Sequence, residues 1–137
     1  MFVHETKVKV RYAETDQMGI VHHANYALYY EIARTECFEA CSGITYESME
    51  AAGVMLPLLE LQSKFLKPAF YNQVLTVKCM VKELPTVRLN VEYEIYNEAE
   101  QLINIGKTVL VFVDKQTRKP CQPPKNFMDG VKPHFTT

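Results

Sequence analysis

The stretch Arg11-Tyr-Ala-Glu-Thr-Asp-Gln-Met-Gly-Ile-Val-His-His-Ala-Asn-Tyr26 joins two segments with different periods. Before it, Val8, Val10 and Tyr12 alternate with Lys7, Lys9 and Arg11, the period-two pattern of a half-exposed strand. After it, from about His23, an apolar helix runs over Ala24 to Cys41. Ala24, Ala27, Leu28, Tyr29, Tyr30, Ile32, Ala33, Cys37 and Phe38 leave only a narrow polar stripe of Glu31, Arg34, Thr35 and Glu39. A helix apolar around most of its circumference is buried on several sides. Ser42-Gly43 ends it. Asp16 lies in the connecting turn, ahead of the helix start. A helix start offers unpaired backbone N–H groups and the positive end of a dipole. A carboxylate facing such an end suits chemistry on a polarised carbonyl: the N–H groups hold the oxygen while the carboxylate delivers a nucleophile to the carbon.

Beyond a short helix expected from Tyr46 to Ala52, the chain reads as β. Leu58 to Leu66 forms one strand, closed by Lys67-Pro68. Val74 to Leu84 alternates, with Leu75, Val77, Cys79 and Val81 on one face. Val87 to Ile95 alternates cleanly against Arg88, Asn90, Glu92 and Glu94. Leu102 to Val113 follows, its second half apolar on both faces, which predicts cover from the helix on one side and a partner subunit on the other. The Pro-rich tail, Pro120 to Pro133, is expected to be irregular with at most one short helix. Strand, long helix and four further strands give an α+β class: an antiparallel five-stranded sheet wrapped around one long central helix.

Taken in order and spacing, Arg11-Tyr12, Glu14-Thr15-Asp16, Met18-Gly19-Ile20-Val21, His23 and Tyr26, then Tyr30-Glu31-Ile-Ala-Arg34 and Phe65-Leu-Lys-Pro-Ala69, resemble the hotdog-fold acyl-CoA thioesterases. The resemblance is to the branch of the bacterial 4-hydroxybenzoyl-CoA thioesterase and the Tol-Pal-associated short-chain thioesterases. It spans about Lys7 to Asp114, and His22 departs from the Tyr or Asn expected there. It implies the hotdog fold, hydrolysis of acyl-CoA thioesters to free acid and CoA without metal or cofactor, and a homodimer whose sheet continues across subunits. In part of the family such dimers pair into tetramers.

The resemblance makes Asp16 the catalytic carboxylate; the alternative is an Asx-turn ahead of Met18-Gly19. An ordinary aspartate is ionised at neutral pH, so it can act as general base for water or as a nucleophile giving a mixed anhydride. The family position gives His23 a backbone role, its N–H polarising the thioester carbonyl. The alternative is a surface histidine. Tyr12 is placed beside the carboxylate as a water- or substrate-positioning residue, against an ordinary strand tyrosine. Lys64 and Arg88, with Lys82, are candidate contacts for the phosphates of CoA, against solvated strand faces. Glu31 is the rival carboxylate, because a second branch of the fold carries its acid on the helix. Met49, Met55 and Met80 read as core or pocket filler.

Composition narrows the rest. At 137 residues with a net charge of −1, the chain is expected to be one domain over 1–137 with no general electrostatic case for nucleic acid. The N-terminus lacks the apolar core of a secretion signal and no apolar run approaches a membrane span, so a cytoplasmic location is expected. Cys37, Cys41, Cys79 and Cys121 lack paired zinc spacing and read as reduced, mostly buried thiols; His22-His23 lacks a third ligand, so no metal is expected. No Gly-x-Ser-x-Gly elbow is present, nor the His-x-Phe-Pro-Gly type motif of hotdog dehydratases. The alternatives to an acyl-CoA hydrolase are a non-catalytic acyl-CoA binding module of the same fold and a thioesterase acting on acyl-carrier-protein substrates.

Overall fold

The computed structural model describes residues 1–136. Strand β1 is Phe2–Lys9, and after a 3₁₀ turn at Tyr12–Glu14 comes helix α1, Asn25–Ser42. Helix α2 is Tyr46–Ala51. Strands β2 (Val54–Met55), β3 (Leu58–Phe65), β4 (Val74–Val81), β5 (Arg88–Tyr96), β6 (Leu102–Val111) and β7 (Val113–Asp114) follow, with helix α3 at Lys125–Val131. A five-stranded sheet of order β1-β4-β5-β6-β3 carries the fold, and all its neighbours are antiparallel. This is the hotdog architecture expected from the sequence.

Helix α1 crosses one face of that sheet. Tyr26, Tyr29, Tyr30, Ala33, Arg34, Cys37, Phe38 and Cys41 recur at three- and four-residue intervals and are all buried. They meet the inward residues of the strands, among them Leu75, Val77 and Cys79 on β4 and Leu89, Val91, Tyr93 and Ile95 on β5. Burying side chains of this size contributes about 1.5–3 kcal/mol each. Tyr30 lies so close over the β6 backbone that a Cβ on Gly106 would overlap its ring, so only glycine fits there.

Several expectations change. Tyr12 does not end β1. The strand stops at Lys9, and Tyr12 starts the 3₁₀ turn because the Glu14 carboxylate accepts the Arg11 N–H and closes the chain on itself. Arg34 is not in a solvent stripe: it is 8% exposed, its Nη1 donating to the Tyr93 hydroxyl and its Nε to the Tyr46 hydroxyl, each at 3.1 Å. Val113 leaves the long last strand and pairs with Met55 in a separate two-stranded ribbon. Val109, Leu110 and Phe112 are buried within the chain itself, with Phe112 packed against Phe127 of α3 at 5.3 Å. The apolar surface left uncovered lies instead on the edge strand β3, where Leu59, Leu61 and Phe65 are 51, 45 and 52% exposed. The tail holds α3 and a 3₁₀ turn at Lys132–Phe135.

The four cysteines are free thiols, Cys37, Cys41 and Cys79 being buried. Met49 and Met80 fill the core, while Met55 is half-buried. Among the described residues no helix is long and apolar enough to cross a membrane.

Candidate active site

The segment between β1 and α1 is held in place from three sides. Val10 N–H donates to the Gln73 carbonyl and Val21 N–H to that of Ala69, each at 2.9 Å, and Ile20 bridges to Phe70, so the segment lies along the β3–β4 connection. Glu14 anchors it to the helix. Its carboxylate, in a residue 5% exposed, accepts the Arg11 N–H at 2.9 Å, the Arg11 guanidinium at 2.7 and 2.9 Å and the Tyr29 hydroxyl at 2.9 Å. Its carbonyl accepts His22 N–H at 2.9 Å and Asn25 Nδ2 at 2.8 Å.

Burial alone would raise the Glu14 pKa. The Arg11 N–H and guanidinium and the Tyr29 hydroxyl outweigh it and hold the carboxyl below its ordinary value of 4.5. The same contact, with burial as the larger cause, pushes the Tyr29 hydroxyl well above the usual tyrosine range. A carboxyl whose folded pKa is depressed contributes stability above its unfolded pKa and loses it as pH falls through the folded value. Glu14→Gln is therefore expected to cost about 1 kcal/mol at neutral pH, because a neutral amide oxygen replaces the charged acceptor of the Arg11 N–H and the Tyr29 hydroxyl, while the exposed Arg11 guanidinium turns to water. That difference should shrink below about pH 4.5. Thermal unfolding of both proteins against pH measures it; a gap that stays constant through the acid range would contradict the assignment.

Within this frame Asp16 and His23 come together. They line one groove of about 450 Å³ with Met18, Ile20, Tyr26, Phe65 and Lys67. That size falls within the range of small-molecule sites. Asp16 does form the Asx-turn: its Oδ1 accepts the Met18 N–H at 2.8 Å, and Gly19, at φ 79°, reverses the chain. The turn uses one oxygen only. Among the described residues Oδ2 has no hydrogen-bond partner, so the turn fixes the carboxylate and leaves an oxygen free. At the helix start the Ala24 N–H donates to His22 Nδ1 at 3.1 Å, Asn25 N–H to the His22 carbonyl at 2.9 Å, and Tyr26 N–H to the His23 carbonyl at 3.3 Å. The His23 N–H finds no acceptor among the described residues. Asp16, with one carboxylate oxygen unpartnered, and His23, with its N–H unpartnered, thus line one groove.

Other candidates lie elsewhere. The Tyr12 ring is 77% exposed, packs edge-on against Tyr71 at 5.6 Å and does not line the groove. Lys64 sits opposite Ile105. Its neighbours Ser63 and Phe65 touch Tyr30 and Tyr26 of α1, so Lys64 points to the outer face. Arg88 belongs to a second groove, at the far end of β3, with Leu58, Leu59, Val111 and Arg118. Glu31 is exposed on α1 and outside the Asp16 groove. The cation that does line that groove, Lys67, belongs to the Phe65-Leu-Lys-Pro motif just past the end of β3. Among the described residues no cluster of three His, Cys, Asp or Glu side chains is arranged to hold a metal ion.

Comparison with known proteins gives the family. Residues 10–131 match the model of the thioesterase-like superfamily. YneP of Bacillus subtilis is 36% identical over 129 residues, covering 94% of this chain and 93% of that one. The acyl-CoA thioesterase YbgC of Helicobacter pylori is 31% identical over 131 residues, covering 90% and 96%. Among solved structures, the DHNA-CoA thioesterase of Staphylococcus aureus superposes with a TM-score of 0.89 at 33% identity, over 98% of this chain and 90% of that one.

Proposed function

Because the chain belongs to the thioesterase-like superfamily, we propose that it hydrolyses acyl-CoA thioesters to free acid and CoA with Asp16 as the catalytic carboxylate and the His23 N–H as oxyanion donor. The observation that supports the residue roles is the shared groove, lined by both Asp16 and His23, each with an unpartnered polar atom. A thioester carbonyl has little of an ester's resonance stabilisation and accepts attack readily. With its oxygen on the His23 N–H, the carbon becomes electrophilic. Asp16 then takes a proton from water as the water oxygen adds, and the tetrahedral oxyanion is held by the amide. On collapse the C–S bond breaks, and CoA leaves as thiolate and is protonated. Direct attack by the carboxylate, followed by hydrolysis of the mixed anhydride, uses the same geometry. A thiol-release assay over acyl-CoAs of varied chain length, aromatic acyl groups included, tests the activity; release from none of them would refute it.

The proposal extends to a homodimer, acting as one domain per chain in the cytoplasm, with pairing of dimers as a further step. An edge strand with unpaired backbone groups and exposed Leu59, Leu61 and Phe65 calls for a partner. A second copy related by a two-fold axis pairs β3 with β3 antiparallel. Such pairing lays the Leu58 end of one copy against the Phe65 end of the other. Arg88 and Arg118 of one copy then approach the Asp16 groove of the other, where the phosphates of CoA need cations. Light scattering should give twice the 15.8 kDa chain mass or a multiple of it, and Leu61→Lys should lower both mass and activity. A fully active wild-type monomer at assay concentration would refute the dimer.

A further inference from the structure

We infer that His22 is a positioning residue for the oxyanion donor: its imidazole caps the Ala24 N–H and leaves the His23 N–H as the donor free to meet substrate. The inference rests on the proposed role of His23. Four contacts converge on His22. Its N–H donates to the Glu14 carbonyl at 2.9 Å, and its carbonyl accepts the Asn25 N–H at 2.9 Å. Nδ1 accepts the Ala24 N–H at 3.1 Å, and the ring stacks on that of His23, centroids 4.2 Å apart. Residues on both sides of the His23 amide are therefore tied to one residue. Ahead of the amide lies the Glu14 anchor, and after it the Ala24 and Asn25 donors are already occupied.

This matters because a helix start carries several orphan N–H groups, and a carbonyl oxygen could settle on any of them. Preorganisation requires one donor at one place before the charge develops. By occupying Ala24 N–H, the His22 ring makes the choice. It does so as an acceptor, so the ring is neutral with its hydrogen on Nε2. Asparagine can take over the bond: its Oδ1 stands on Cγ as the histidine Nδ1 does, and an acceptor reaching the N–H two residues on is the usual Asx pattern. Leucine fills similar space and offers no acceptor.

The test compares wild type, His22→Leu and His22→Asn by thiol release and by hydrogen exchange of the Ala24 amide in NMR spectra, with circular dichroism to confirm folding. His22→Leu should lose about tenfold in kcat with KM changed by no more than about twofold, the pattern of a lost transition-state interaction. Its Ala24 amide should exchange faster. His22→Asn should recover most of the rate and the protection. A Leu variant with wild-type kcat, or an Asn variant no better than Leu, overturns the inference. If wild-type protein released thiol from no acyl-CoA, the hydrolysis reading would fall on its own; unchanged Ala24 exchange in His22→Leu would separately overturn the cap.

Discussion

Asp16→Asn should lower kcat for thioester hydrolysis by on the order of a hundredfold or more, about 2.7 kcal/mol of transition-state stabilisation, with little change in unfolding temperature. The structure explains why these two effects separate. The Asx-turn uses Oδ1 as an acceptor for Met18 N–H, and asparagine provides the same acceptor, so the loop keeps its shape. The free Oδ2 is the atom that changes, from an anionic oxygen to an amide that can neither take a proton nor attack. Binding of free CoA, which lacks the acyl carbonyl, should be nearly unaffected. Near-wild-type turnover in this variant, with Glu31→Gln inactive instead, would move the chemistry onto the exposed face of α1.

The second large effect separates the His23 peptide from its imidazole. His23→Ala keeps the N–H and should keep a substantial fraction of activity. His23→Pro removes the donor and should be nearly inactive, since one oxyanion donor is worth about 3 kcal/mol, roughly two orders of magnitude in rate. The helix starts at Asn25, so proline at 23 does not occupy the first helical position that tolerates it best. It also restricts the backbone of His22. Circular dichroism and the unfolding temperature must therefore accompany the rate. Equal loss in the alanine and proline variants would give the imidazole a direct part and contradict the backbone role.

How much of this could be read from the chain depended on where each signal resides. Helix α1 was legible to within a residue at each end because its apolar positions recur at helical spacing and Ser42-Gly43 stops it. Strands β4 and β5 alternate, and their cores were legible for the same reason. The first half of β1 was not, because His4 and Thr6 occupy inward positions where an apolar residue would have revealed the period. The ribbon of Val54–Met55 with Val113–Asp114 is two residues long and joins distant parts of the chain, so no local pattern could announce it.

Within the site, the pairing of Asp16 with His23 was legible from the turn-then-helix arrangement, since it depends on local geometry. The clamp by Glu14 and the cap by His22 were not: each depends on where a side chain points once the loop has closed. The burial of Arg34 was hidden for a related reason. Its partners, the Tyr46 and Tyr93 hydroxyls, are neutral and far along the chain, whereas a charged helix position normally reads as solvated. Lys64 and Arg88 stand out in the sequence by charge alone. Charge says nothing of which sheet face a strand residue takes, and the groove's own cation proved to be Lys67.

The most direct measurement of the central claim is a crystal structure with a non-hydrolysable acyl-CoA analogue, a ketone in which methylene replaces the thioester sulfur. The carbonyl oxygen is expected at about 3 Å from the His23 nitrogen, with the Asp16 carboxylate facing the carbonyl carbon directly or through one water. A well-ordered analogue whose carbonyl lies outside the Asp16 groove, or takes its hydrogen bond from another donor with Asp16 turned away, would contradict it.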